Sequence, residues 1–309
     1  MNTIRDHAED YLAMRRALGF ELTTFGQKLL SFIAYLETHE ISVVTTEAAL
    51  NWATSTPHST DQVHWSRRLM VARIFARHLA VLDPRTEVPP VDVLPHHYRR
   101  VTPYLYTPDE LDRLLDAASA LRPQLRALTW HTFIALLAVT GMRTSEACRL
   151  DVSDIDFDDA VLTVRDTKFG KHRQVPVHAS TSTAIADYLD AREWQHPVTG
   201  TPAVFITTRG TRLDHTNVPR TFATLIRAAA ISAPTGQRSP RLHDWRHTFC
   251  VTTLLTWYRD GVDVQARLPW LSTYLGHVDP KSTYWYLTGS PELLMLASQR
   301  LEHTFGEQP

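Results

Sequence analysis

Residues 140–146 read Thr140-Gly-Met-Arg-Thr-Ser-Glu146 and directly follow a stretch, Leu125 to Thr140, that is nearly all apolar on one face. The helical spacing of those apolar residues predicts an α-helix, and Gly141 is the residue type at which a helix ends. Arg143 then places a guanidinium at the mouth of a buried helix, where an ordinary hydrophobic core does not need one. The segment therefore predicts a buried helix with a cationic group at its end.

The chain around this segment is predicted to be mainly helical with one small antiparallel sheet. Thr107-Pro-Asp-Glu110 is a capping box with proline at the first helical position, which predicts a helix to about Ala120. Val161–Val164 and Arg173–Val177 predict the two strands of a β-hairpin, with Gly170 in the turn. Further helices are predicted from about Thr144 and at about 180–194, 216–230, 243–260, 264–275 and 291–303, with a short strand near Val204 to Thr207.

Prolines divide the chain into two predicted domains. Five of the 18 prolines lie between residues 83 and 103, and because proline disfavours helix, residues 84–103 are predicted to be an extended linker. Residues 104–309 form the second domain. Residues 1–83 predict a small all-α domain, with helices at Ile4–Leu18, Thr24–Thr38, Thr46–Thr54 and Asp61–Leu82.

The last helix of the first domain carries a stripe of arginines, and no acidic residue lies between Asp61 and Asp83. A stripe of one charge sign predicts contacts with a DNA backbone. The alternative is a solvated face on which some arginines pair with neighbouring helices. The residues predicted to contact DNA here are Arg67, Arg68, Arg73 and Arg77.

Composition limits the class of protein. With 309 residues and 43% hydrophobic content the chain can bury real cores, which excludes a disordered protein. Its longest apolar run, Phe133 to Val139, is too short for a membrane span, and its N-terminus is charged, so we expect a soluble, cytoplasmic protein. The net charge of −1 means that any nucleic-acid surface must be local. Cys148 and Cys250 are too few for a disulfide framework.

Later motifs add the residue types of a phosphate site. His243-Asp-Trp-Arg246 opens a predicted helix and puts an imidazole and a guanidinium one turn apart on the same face. Alone this pattern is a weak signal, because it occurs four times in the chain. Its context is more specific, since Leu275-Gly-His277 and then Tyr284-Trp-Tyr286 follow it. Spacing alone does not decide between Tyr284 and Tyr286 as a nucleophile.

Together these motifs resemble the tyrosine recombinases, the phage integrase and Xer-type family. That family carries an Arg in a Thr-Gly-x-Arg-x-x-Glu segment, a hairpin Lys, a His-x-x-Arg, a Leu-Gly-His, and a nucleophilic Tyr nine residues after the last His. The resemblance covers about residues 104–303, while the N-terminal domain resembles the family's core-binding domain more loosely. Trp245 departs from it, because an aliphatic residue is usual there. The matching catalytic positions are Arg143, Lys168, His243, Arg246, His277 and Tyr286.

The resemblance implies a site-specific DNA recombinase or integrase that cleaves and rejoins DNA through a 3′-phosphotyrosyl intermediate, without a metal, ATP or another cofactor. It also implies two domains that close on duplex DNA as a clamp. The implied partners are double-stranded target sites, further copies of the chain in a tetramer on DNA, and related recombinases or accessory proteins, with no membrane. Integration, excision, transposition and resolution all stay open as the biological task.

The residue types suit this chemistry. Arg143 and Arg246 can each donate paired hydrogen bonds to the non-bridging oxygens of a phosphate. A free tyrosine has a pKa near 10, so attack near neutral pH needs a base or electropositive surroundings, which His243 and these arginines can supply. His277 is expected to donate a hydrogen bond to the scissile phosphate.

Two lysines are candidates for the general acid. Lys168 is expected to protonate the leaving 5′ oxygen, with Lys171 as a contact to the DNA backbone, and the reverse assignment stays open.

These residues also allow other roles. Arg143 can instead pair with Glu146 or Asp151, and the acidic cluster between Asp151 and Asp159 lacks the glycine and terminal glutamate of a calcium loop, so no metal site is predicted. Two other functions remain as alternatives: a non-catalytic DNA-binding protein on the same scaffold, and a nicking-closing enzyme similar to type IB topoisomerases.

Overall fold

The computed structural model describes residues 3–56, 61–94, 102–165, 172–235, 237–277, 279, 281–287, 292–296 and 298. The chain divides into two compact units, Met1–Arg100 and Val101–Pro309. Among the described residues, no helix is both long enough and apolar enough to cross a membrane.

The first unit is all-α in its described part. Thr3, Thr45 and Asp61 each cap the helix that follows with a side-chain oxygen, which accepts a hydrogen bond from a backbone N–H of the first turn. Fully buried side chains, among them Phe32 and Phe75, form its core. The helices are α1 Ile4–Ala17, α2 Thr23–Thr38, α3 Thr46–Thr54 and α4 Gln62–Leu82.

Two arginines of α4 are used inside this unit. Arg73 is only 9% exposed, and its guanidinium donates hydrogen bonds to the carbonyl oxygens of Pro89 at 2.7 Å and Pro90 at 2.6 Å. The guanidinium of Arg68 lies 4.1 Å from the centre of the Trp52 ring and donates to the Trp52 carbonyl oxygen at 2.6 Å. These contacts attach the segment after α4, and the end of α3, to the side of α4.

The structure gives two of the predicted DNA contacts a role inside this unit. The guanidinium of Arg73 is buried and donates to backbone carbonyls, so the structure explains its position without a phosphate, and its contact with DNA stays a prediction. Arg68 is half-buried and engaged with Trp52. Arg67 and Arg77 are exposed on α4, so these two stay as predicted DNA contacts.

The second unit is mainly helical with a small antiparallel sheet, which confirms the predicted fold class. Strands β1 Ile155–Asp156, β2 Val161–Val164 and β3 Arg173–Pro176 lie in the order β1-β2-β3, and Leu162 pairs with Val175. A single 3-10 turn, Val152–Asp154, precedes β1. The helices are α5 Pro108–Ser119, α6 Gln124–Thr140, α7 Thr144–Arg149, α8 Ala179–Gln195, α9 Val218–Ala228, α10 Asp244–Arg259, α11 Val264–Leu275 and α12 Lys281–Leu287.

Helix α6 is the centre of this unit. It packs against α5, α8 and α10, and its buried face includes Phe133, Ile134 and Leu137. Helix α10 lies between two apolar clusters, because its start packs in the α6 core while Cys250 and Leu254 pack with α11 and α12. The end of α6 and the start of α10 are therefore held close together.

Some elements differ from the predictions. The strand predicted near Val204 to Thr207 is reduced to isolated bridges, Asp151 with Ala203 and Ile206 with Arg212. Neither α12 nor the two-residue β1 was predicted, because both are too short for a periodic pattern to show. The turn with Gly170 lies outside the described residues, and of the helix predicted at 291–303 only residues 292–296 and 298 are described, as helical.

The use of Arg73 inside the first unit gives a prediction about stability. Arg73→Ala leaves three backbone carbonyls without their donor, so we expect the unfolding free energy to fall by about 2 kcal/mol. Arg77→Ala, at an exposed position of the same helix, should change it by less than about 0.5 kcal/mol. Urea denaturation followed by circular dichroism measures both. Equal effects of the two variants would contradict the structural role of Arg73.

Candidate active site

The predicted site residues lie at the ends of helices in the second unit. Arg143 immediately precedes α7, His243 immediately precedes α10, and Arg246 lies in the first turn of α10. His277 follows α11, and Tyr286 lies on α12. Lys168 and Lys171 lie outside the described residues.

Arg246 joins three of these segments. It is 2% exposed and donates to the carbonyl oxygens of Gly141 at 3.0 Å and Leu275 at 2.6 Å. These carbonyls are at the C-terminal ends of α6 and α11, where helix dipoles are negative. Burial and the charge of Arg143 lower the pKa of Arg246 to about 10, so it is still a cation at neutral pH.

Two glycines allow the close approach of these helix ends. Gly141 and Gly276 have φ of 60° and 65°, in the left-handed region that side chains disfavour. A Cβ at Gly141 would lie 2.6 Å from Cδ1 of Phe249, and one at Gly276 would lie 2.9 Å from Nη1 of Arg173. Both turns therefore need glycine for space as well as for conformation.

Arg143 is held by a buried carboxylate. Its Nη1 donates to Oε1 of Glu146 at 2.6 Å, and its Nη2 donates to the carbonyl oxygen of Gly276 at 3.0 Å. Arg173 grips the same carboxylate with two hydrogen bonds of 3.0 and 2.7 Å, and its Nε donates to the Tyr274 carbonyl oxygen. The pairing of Arg143 with Glu146, considered above as an alternative to a site role, thus fixes Arg143 beside Gly276.

The pKa of Glu146 reflects this pairing. Burial alone would raise it, but the hydrogen bonds and charge of Arg173, together with those of Arg143, bring the pKa down to about 2. Glu146 is therefore ionised at neutral pH and offsets part of the positive charge around it.

Both histidines of the motifs are neutral at neutral pH. Burial, followed by the charges of Arg246 and Arg143, lowers the pKa of His277 to about 3. Desolvation and nearby arginines likewise lower the pKa of His243 to about 4, although part of its side chain is exposed. The Nδ1 of His277 shares a hydrogen bond of 2.7 Å with the Thr283 hydroxyl, which orients the ring. Bound phosphate would raise both pKa values, because its negative charge favours the imidazolium form.

The two candidate tyrosines have different environments. Tyr286 is 3% exposed and its ring is nearly parallel to that of His277, with 6.3 Å between the ring centres. Its hydroxyl shares a hydrogen bond of 2.9 Å with Nδ1 of His247. Tyr284 is 50% exposed. Tyr286 is therefore the tyrosine that lies among the motif side chains.

Sequence reasoning missed several side chains that shape this site. The sequence pattern marks Arg173 only as a strand residue. It gives no signal for His247, although His247 is one turn from His243. The Tyr106 ring stacks on Trp245 with 3.9 Å between ring centres, and the Tyr106 hydroxyl donates to the Arg241 carbonyl oxygen. This stack fixes the start of α10 and gives Trp245 a structural purpose.

The assembled group is suited to an anion. The guanidinium groups of Arg143 and Arg173 pair with one carboxylate, and the buried guanidinium of Arg246, neutral imidazoles and a phenol lie nearby. Within the described ranges, no cluster of three or more His, Cys, Asp or Glu side chains could hold a metal ion. The arrangement can therefore bind and polarise a phosphate diester through guanidinium groups.

Comparisons with known proteins point to one family. The phage integrase family matches residues 105–292. The chain is 44% identical over 315 residues to y4rB of Sinorhizobium fredii, a proposed integrase/recombinase, with 100% of both chains covered. It is 30% identical over 224 residues to the tyrosine recombinase XerD of Caulobacter vibrioides, covering 72% of this chain and 69% of XerD. The Tn1549 transposon integrase, solved with transposon right end DNA, shares the fold with a TM-score of 0.70 at 16% identity, over 98% of this chain and 99% of that one.

The buried carboxylate gives a prediction about acid stability. The folded-state pKa of Glu146 is lowered, so its contribution to stability is present above about pH 4.5 and is lost as the pH falls toward 2. Glu146→Gln should therefore lower the unfolding free energy by about 3 kcal/mol at pH 7, and by progressively less below pH 4.5. Denaturation series at several pH values measure this. Asp112→Asn, at an exposed position, is the control, and a deficit in Glu146→Gln that stays constant down to pH 3 would contradict the pairing.

Proposed function

The chain belongs to the phage integrase family, whose members are tyrosine-type DNA strand transferases, and on this premise we propose that it is a site-specific DNA recombinase with Tyr286 as its nucleophile. The observation that carries the proposal is the meeting of distant motifs. Arg246 reaches the helix ends next to Arg143 and His277, and the Tyr286 ring lies parallel to that of His277. This arrangement brings a phenol and guanidinium groups to one place, as attack on a phosphodiester requires.

Stabilisation of the transition state falls to the two motif arginines. The transition state of phosphodiester transfer spreads negative charge over the non-bridging oxygens. Arg246 uses two of its five N–H groups on the Gly141 and Leu275 carbonyls, which leaves donors for a phosphate oxygen. Arg143 is one-third exposed and can meet the same phosphate from the α7 side. His277 would donate the third contact through its other ring nitrogen.

Strand cleavage then proceeds by in-line displacement. The Tyr286 oxygen attacks phosphorus, its proton passes to a neutral imidazole of α10, and the bond from phosphorus to the 5′ oxygen breaks as that oxygen takes a proton from the general acid. The products are a 3′-phosphotyrosyl enzyme and a strand with a 5′ hydroxyl. Attack by the 5′ hydroxyl of a second strand reverses the step, so the bond energy is conserved and neither ATP nor a metal is required.

The other predicted roles complete the proposal. Lys168 protonates the leaving 5′ oxygen, and Lys171 contacts the DNA backbone. The first unit, residues 1–83 with the linker 84–103, contributes backbone contacts through Arg67 and Arg77. Exchange of two strand pairs requires four active sites, so the working form is a tetramer on its double-stranded target sites, with related recombinases or accessory proteins as further partners.

The nucleophile is tested by trapping. On a nicked suicide substrate, whose short 5′ product diffuses away, the wild-type chain should accumulate a covalent protein–DNA adduct that is visible by denaturing electrophoresis. Tyr286→Phe removes the attacking oxygen and should form none. Tyr284→Phe alters the exposed neighbour and should form as much as wild type. An adduct with Tyr286→Phe, or none with wild type, would refute the mechanism.

A change of the leaving group in the substrate distinguishes the proposed roles of Lys168 and Lys171. Lys168→Ala should slow adduct formation by about 10²-fold or more, because a general acid contributes this much. Lys171→Ala should weaken DNA binding while keeping the cleavage rate of bound complex. A substrate with sulfur in place of the bridging 5′ oxygen needs no protonation on leaving, so it should restore Lys168→Ala. If this substrate instead restored the cleavage rate of Lys171→Ala, Lys171 would be the general acid and Lys168 the contact to the DNA backbone.

A further inference from the structure

A histidine outside the family motif contacts the proposed nucleophile directly. The Nδ1 of His247 lies 2.9 Å from the Tyr286 hydroxyl. His247 follows Arg246 on α10 and lies one helical turn beyond His243, and the rings of the two histidines are 5.0 Å apart and nearly perpendicular. The motif histidine and His247 therefore lie on the same face of α10, near Tyr286.

The phenol is enclosed where this contact occurs. The hydroxyl of a buried tyrosine needs a hydrogen-bond partner, and the side chain of Tyr286 is 3% exposed. Helix α12 packs against both α10 and α11, and the ring of Trp285 also lies against that of His247, with 5.7 Å between centres. The phenol is thus enclosed where α10, α11 and α12 meet, and its oxygen contacts Nδ1 of His247 and the thiol of Cys250.

We propose that His247 is a positioning residue for Tyr286: its unprotonated Nδ1 accepts the hydrogen bond of the phenol and fixes the direction in which the oxygen points. The inference rests on the proposed function, since it concerns the approach of the same nucleophile. A phenol that donates to Nδ1 keeps its lone pairs for phosphorus. A displacement of about 1 Å at a reacting atom is enough to slow a reaction by about 10²-fold.

Two substitutions of His247 distinguish the effect of its hydrogen bond from the effect of its size. His247→Phe keeps a planar ring and removes the acceptor, whereas His247→Asn places an amide atom where Nδ1 stood. Single-turnover adduct formation on the nicked substrate should fall by about tenfold or more in His247→Phe and return to within about threefold of wild type in His247→Asn. His215→Phe, at an exposed position, is the matched control and should react as wild type.

A second readout reports on the phenol without any DNA. Nitration by tetranitromethane, followed by mass spectrometry, measures how accessible each tyrosine is. Tyr286 should be nitrated slowly in wild type and His247→Asn, and faster in His247→Phe. Tyr284 is 50% exposed on the same helix, and its nitration should be equal in all variants.

The substrate with a bridging 5′ sulfur shows whether His247 affects the attack of the nucleophile or the departure of the leaving group. A defect in the approach of the nucleophile should persist on this substrate, because only the leaving group has changed. Disappearance of the His247→Phe defect on it would overturn the inference, and so would a rate within twofold of wild type on the ordinary substrate. These outcomes are judged only when wild type forms adduct and Tyr286→Phe does not, so failure of the proposed function is recognised separately. Melting temperature and DNA affinity of each variant show that it folds and binds.

Discussion

The burial of one guanidinium is the constraint on which the site depends. Arg246 is nearly inaccessible to water, and a buried charge without partners costs several kcal/mol. The carbonyls of Gly141 and Leu275 supply the partners, and they do so only if the ends of α6 and α11 both face the first turn of α10. Glycine at position 141 leaves room for Phe249 of α10, and glycine at position 276 leaves room for Arg173 of β3. The charge that is useful for phosphate chemistry is thus the same charge that assembles the helix ends.

The electrostatic balance follows from this assembly. Two guanidinium groups, Arg143 and Arg173, pair with one carboxylate, Glu146, which their hydrogen bonds and charge keep ionised, and Arg246 adds a third positive charge nearby. Burial, followed by the charges of the arginines, lowers the pKa of His243 and of His277, so both imidazoles are neutral at neutral pH. A bound anion would relieve the repulsion among the arginines, so their grouping favours an anionic ligand.

Arginine serves two purposes in this chain, and its sequence context alone does not tell them apart. On α4, Arg73 and Arg77 are one turn apart in the same basic stripe, yet the first binds carbonyls after the helix and the second is exposed. In the second unit, Arg173 looks like an ordinary strand residue, but it joins β3 to Glu146 and to the end of α11. Such roles depend on which backbone groups lie nearby, and that information is not local.

The sequence by itself determined the helices other than α12, the hairpin strands and the family motifs, because capping boxes, glycine stops, apolar periodicity and motif spacing are local patterns. It left Tyr284 and Tyr286 equal on spacing and needed the family resemblance to choose between them. Only the tertiary structure decided that Tyr286 lies among the motif side chains, that His247 meets its hydroxyl, and that Trp245 stacks on Tyr106. The physical reason is that each of these contacts joins helices or loops far apart in the chain, and only packing of the whole domain sets their distance.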